Sequence, residues 1–224
     1  MFGFIGALVG AAIGVISSIA STVGPVIAAA ATTIAKLAPT LEKIITFANV
    51  VSGIAQLLGV LNVDENPEDI GAKAMQEGTR PRMANETAEE YLNYLKNDVE
   101  LDKEKQAQMD EKDRLACIAT GSAIVMSTIA EKEDINLSPE FVSNVSKTSL
   151  AASDTLKIIS KFKENNLELD KFNDYFNNNL SGNELLNVNH TLKESVKEIH
   201  PDMSEKEIRS EINNMTNDIS IPKL

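Results

Sequence analysis

The chain has 224 residues, a single cysteine and a formal net charge of −12 at pH 7. That length admits one or two domains, one thiol excludes an intrachain disulfide, and the acidic balance excludes a nucleic-acid partner or a polybasic lipid-docking patch. The charge is uneven: Met1–Val63 holds only Lys36, Glu42 and Lys43, so the acidic excess lies wholly in the rest.

No charged side chain occurs from Met1 to Ala35, and a second uncharged run covers Ile44–Val63. A helix rises ~1.5 Å per residue and a hydrocarbon core is ~30 Å thick, so roughly 20 apolar residues span it. Both runs reach that length, which predicts an N-terminal hydrophobic helical hairpin over 1–63. Proline lacks an N–H and clashes with the preceding turn, so Gly24-Pro25 is expected to kink the first run into helices of about Phe2–Val23 and Val26–Leu37. This run is rich in Ala, Gly, Ser and Thr, which makes insertion into lipid marginal.

Gly6, Gly10, Gly14, Ser18 and Thr22 recur every four residues and share one helical face. Such faces let helix backbones approach closely in bilayers; they also suit a tight soluble bundle or an oligomeric tube. The hairpin link KLAPTLEK carries Lys36, Glu42 and Lys43, each costing ~2.5–3.5 kcal/mol at mid-bilayer on insertion scales. A secretory signal has a basic start and a short apolar centre. Here the first Lys is Lys36, so the apolar part is expected to belong to the mature protein.

Asp64–Met83 holds Pro67, Gly71, Gly78 and Pro81 and reads as a linker, followed by an acidic helical domain over 84–224. Asn85 with Glu89 marks a helix start before Tyr91, Leu92, Leu95 and Val99, and the charges from Glu100 to Arg114 mark a solvated face. Leu115–Ala130 is a third uncharged run, too short for a comfortable span and expected as a buried core helix. Ser138-Pro139-Glu140 combines an N-cap, proline at the first helical position and an early acid. The helix it opens is expected to reach about Lys163, with Phe141, Val145, Ala152, Leu156, Ile159 and Phe162 inward. Ser181/Glu184 and Ser204/Glu207 have capping-box spacing. The stripes Leu185, Val188, Leu192, Val196, Ile199 and Ile208, Ile212, Met215, Ile219 follow them. With no β-alternation, the fold class is all-α: the hairpin followed by a bundle of amphipathic helices.

Catalytic patterns are missing. His190 and His200 stand in no HExxH or Cys–His arrangement, and Cys117 lies in an apolar stretch that suits a buried thiol. The calcium-loop spacing of Asn177, Asn179, Ser181 and Gly182 places Val188 where a bidentate Glu is needed. The chain is therefore expected to have no metal, no cofactor and no enzymatic activity.

The opening FGFIGALVGAAIG, the second apolar helix IITFANVVSGIAQLLGVLNV and the acidic helical remainder resemble small α-helical pore-forming effectors of bacterial contractile injection machines, notably type VI secretion. The chain is also similar to colicin-like pore-forming domains, whose hydrophobic hairpin lies near the C-terminal end whereas here it comes first. The resemblance implies a toxin carried without a signal peptide to a target-cell membrane, where it inserts, self-associates and leaks ions. It further implies a carrier and an immunity protein. In that picture the glycine face joins protomers, and Ser17, Ser18, Ser21 and Thr22 face a narrow aqueous path. The Gly/Ala-rich opening is shared by phage ejection proteins, which makes a virion or tail-channel component the alternative. A cytoplasmic-membrane anchor presenting an interaction domain is another.

Overall fold

The computed structural model describes residues 2–220. Met1 at the head of the charge-free run and the end of the 84–224 region lie outside the described residues. Among the described residues there are thirteen helices and no strand. The chain divides into two compact units, Met1–Asp134 and Ile135–Leu224.

The first unit is organised around the helix predicted as core. Leu115–Ala130 lies within α8 (Glu111–Glu133), whose Leu115–Met126 segment is buried at every position. Asp110 caps its start by accepting from the Asp113 N–H at 3.1 Å, and Asp134, left-handed at φ 51°, ends it. By length and composition α8 is the one helix among the described residues able to cross a membrane. Here its lining is protein: α1 (Phe2–Ser18), α3 (Pro25–Leu37), α4 (Leu41–Leu57), α5 (Pro67–Met75) and α6 (Ala88–Asn97) all pack on it. Burying Leu115, Ile118, Ile124 and Ile129 contributes about 1.5–3 kcal/mol each.

The apolar runs are more broken than the sequence predicts. The first divides at Ile19 as well as at Gly24, giving α1, α2 (Ala20–Val23) and α3. The Ser18 hydroxyl donates to the Val15 carbonyl at 2.7 Å, a back-bond that weakens the helix at this point. Gly24 has φ +90° and Pro25 opens α3, which fits the expected kink. The second run begins earlier and ends earlier than Ile44–Val63. Thr40 caps α4, accepting from the Lys43 N–H at 3.4 Å. Gly59, at φ +67°, closes it: its N–H donates to Gln56 O at 3.1 Å and the Val60 N–H to Ala55 O at 2.8 Å, the two bonds of a Schellman stop. The chief partner of α4 is α8.

The stretch 64–83, read as linker, contains α5, the closest neighbour of α8. Asn66 accepts from the Asp69 N–H at 2.9 Å and Pro67 stands at the first helical position, so the Pro that suggested a loop starts a helix. A Cβ on Gly71 would lie 1.9 Å from the Cys117 carbonyl oxygen, and one on Gly121 would lie 1.7 Å from that of Pro67. Only glycine permits this backbone-on-backbone crossing. The helix after it is capped by Thr87 with Glu90 rather than by Asn85 with Glu89. Between α6 and α8, a short α7 (Lys103–Ala107) interrupts the charged stretch.

In the second unit, Ser138 caps α9 (Pro139–Val145) as expected, accepting from the Phe141 N–H at 3.4 Å. The helix stops at Val145 instead of reaching Lys163, because the Ser146 and Thr148 hydroxyls donate to the Ser143 and Val145 carbonyls at 2.8 and 2.7 Å. The chain restarts as α10 (Ala152–Glu164), then α11 (Asp170–Phe176), α12 (Gly182–Ile199) and α13 (Glu205–Ser220). Ser204 and Glu207 form the expected reciprocal cap. At Ser181 the side chain makes no cap bond, since Gly182 turns through φ +55°. The core is aromatic: Phe172 lies 5.0 Å from Phe141, 4.6 Å from Phe176 and 6.2 Å from Phe162, centroid to centroid.

Candidate functional site

The residues singled out by sequence lie in the first unit, on α1 to α4. On α1, the side chains described run from Ile5 to Ser18, and of these only Ala12 and Ile16 are buried. The inward pair docks on α3 and α8. Gly6, Gly10 and Gly14 face outward, with no atom within 4 Å of a Cβ placed on any of them. Ser17, Ser18 and Ser21 are exposed and Thr22 is half-buried. The ladder is thus a bare helical face, and the close approach expected of it occurs at Gly71 and Gly121.

Apolar exposure continues on the next helices. Val26, one residue beyond the kink, is 72 % exposed, and Leu57 at the end of α4 is 57 % exposed. At the link, Lys36, Glu42 and Lys43 all point to solvent, so no ion pair buries them.

The kink is held from outside. Pro25 has no N–H for the Ser21 carbonyl, and the break at Gly24 separates the Thr22 carbonyl from its helical donor. The Arg82 N–H takes that place, donating to Thr22 O at 2.7 Å. The segment bearing Arg82 is fixed by Glu86, whose side chain is 5 % exposed. The Arg80 guanidinium donates to both Glu86 carboxylate oxygens, at 2.5 and 3.0 Å, and lies 4.0 Å above the Tyr94 ring. Glu86 also accepts the Met83 N–H at 2.9 Å, while Arg82 Nη2 donates to the Glu86 backbone carbonyl at 2.7 Å. Arg80 holds the Glu86 carboxyl below the usual carboxylate range. On α8, Glu131 accepts the Ala88 N–H at 2.7 Å and pairs with Arg82 at 3.7 Å. Nothing in the sequence pattern distinguishes these charges from ordinary loop polarity; their pairing depends on contacts between segments.

Other groups offer little chemistry. Among the described residues no three His, Cys, Asp or Glu side chains gather as a metal site. His190 and His200 are exposed. Cys117 is buried beside the sulfurs of Met75 and Met109, at 3.4 and 3.6 Å, and burial pushes its thiol up to about 12, which leaves it unreactive at neutral pH. An open groove of about 830 Å³ beside α5 mixes carboxylates with Lys73, Lys96 and Lys103, and Lys96 is already paired to Glu65 at 2.9 Å. No protein-family model, curated protein or solved structure matches the chain.

Proposed function

We propose that this protein is a non-enzymatic, membrane-inserting pore former. It is delivered by a dedicated injection machine to a target-cell membrane, which it depolarises by ion leakage. The observation that carries the reading is α1: a helix without a charged residue, on which only Ala12 and Ile16 are fully buried among the side chains described. A surface helix of a water-soluble protein ordinarily turns a charged face outward. This one turns out glycine, alanine and serine, a face suited to lipid and to a second helix packed at backbone distance.

Insertion then follows from length and charge. Residues 2–23, interrupted only at Ile19, would span ~33 Å if straightened, enough for a ~30 Å hydrocarbon core. α3 and α4 would follow as the returning limb, moving the three charges of the link. Protomers would join along Gly6, Gly10 and Gly14, with Ser17, Ser18, Ser21 and Thr22 lining the path.

Release of ions from sealed vesicles tests this. The purified chain is expected to leak them, and Gly10→Leu with Gly14→Leu to reduce leakage at least tenfold while helix content is unchanged, because nothing occupies that face in the folded unit. Vesicles that stay sealed under every trigger, or full leakage by the double variant, overturn the reading. Ring or tube assembly without lipid would instead favour the virion or tail-channel alternative, and stable membrane fractionation without leakage the anchor.

A further inference from the structure

We propose that residues 79–87 form a clasp on the helix break at Gly24, with the Glu86 carboxylate as its keystone, and that loss of the Glu86 charge loosens the chain about that break. The clasp itself stands on geometry alone; only its use, arming a membrane-active segment, rests on the function proposed above.

Three observations converge on it. The break leaves the Thr22 carbonyl without a helical donor, and the Arg82 N–H supplies one at 2.7 Å. Arg82 is placed there by a segment too short to hold its own shape: residues 76–87 lie between α5 and α6 and contain no helix or strand. Within that segment one nearly buried carboxylate receives the Arg80 fork and the Met83 N–H, while the Arg80 N–H donates to Tyr94 Oη at 3.1 Å and Arg82 pairs with Glu131 at 3.7 Å.

A glutamine at 86 has a single acceptor oxygen and no charge. It cannot satisfy the fork and the Met83 N–H together, and it leaves Arg80 without its counter-ion. The groups facing Glu86 favour its charged form or leave it so. Arg80 and Arg82 lie in its own segment; Tyr94 on α6 holds the back of Arg80, and Tyr91 on α6 is buried beside them. From α8, Glu131 pairs with Arg82 rather than with Glu86. Because the carboxyl sits below its ordinary value in the folded chain, the clasp is closed at neutral pH and loosens as pH falls through that lowered value.

Hydrogen exchange on the full chain in solution, without lipid, reads the clasp directly. At pH 7, Glu86→Gln is expected to speed exchange of the 20–37 amides at least tenfold and leave those of 182–199 unchanged. Acidifying the native chain should bring the same local change. Unaltered 20–37 exchange in Glu86→Gln overturns the proposal. Should that variant lose protection throughout, Thr22→Cys with Arg82→Cys decides. The oxidised pair must hold 20–37 protected and reduction must release it; failure to cross-link, or equal exchange in both states, overturns the clasp. Opening in solution with vesicles still sealed would leave the clasp standing and remove the pore, whereas leakage with no change in exchange does the reverse.

Discussion

Within Met1–Asp134 the central helix α8 meets α5 backbone to backbone at Gly121 and Gly71, in a unit that also buries Phe47 and Tyr91, whereas in Ile135–Leu224 the core is a cluster of Phe rings carried on short amphipathic helices. The outer surfaces differ in the same sense. α10, α12 and α13 put Lys, Glu and Asn into water, and α12 also exposes Leu185 and Leu186. α1 and α3 hold Lys36 as their only charge. A ring cluster fixes one arrangement through interlocking shape, while the α5–α8 crossing depends on two glycines that let backbones touch.

The crossing of α5 and α8 is where the first unit breaks most readily. Gly121→Val would drive its side chain into the Pro67 carbonyl and force the helices apart. Overpacking costs about 1–3 kcal/mol where side chains can yield, and here the obstacle is backbone, so the loss should exceed that range. Urea titration followed by exchange within 67–130 checks it. Native stability in Gly121→Val would mean that backbone contact does not organise this unit.

Phe172→Ala is the matching change in the second unit. Removing the ring shared by three others should cost about 3–5 kcal/mol, read from exchange within 139–199. A loss under about 1 kcal/mol would show that the Phe cluster is not what fixes this core.

Alkaline pH separates the units by chemistry. Cys117 is in the first unit, and burial raises its thiol from 9.0 to about 12. The unfolded chain therefore loses this proton first, and stability falls as pH rises, by about 1.4 kcal/mol per unit of pH once above the unfolded value. Cys117→Ala should flatten that slope in a pH series of urea midpoints. A slope that persists in the variant would assign it to other groups.

The sequence discloses elements whose signals are local. The caps at Ser138 and Ser204, the kink at Gly24-Pro25 and the burial of 115–130 follow from short-range chemistry and periodicity, and the structure places each of them. It conceals what depends on a distant partner. Pro67, Gly71, Gly78 and Pro81 resemble loop punctuation until Gly71 is seen against Cys117 O, at which point a glycine serves packing rather than turning. The small-residue ladder on α1 has the opposite history: a pattern that signals close approach faces open space, since periodicity shows that residues share a face and not what that face meets. Glu86 and Arg82 carry no pattern at all, and their pairing emerges only when the 79–87 segment is folded back on Thr22.

The smallest effect concerns the glycine face of α1 in the folded unit. Gly10 and Gly14 are exposed and have no neighbour within 4 Å of an added Cβ. Alanine at each therefore costs nothing in packing and lowers the conformational entropy of the unfolded chain, so each substitution should stabilise the helix by about 0.5–1 kcal/mol. A modest rise in urea midpoint for the double alanine variant, with exchange slowed only within 2–23, is the expected result. A fall in stability would mean that the glycine face is occupied in solution, by a second copy or another part of the chain. α1 would then count as a core helix. Stabilisation in solution combined with weakened leakage would assign the ladder to the assembled state in lipid, where even one methyl per glycine holds two backbones apart.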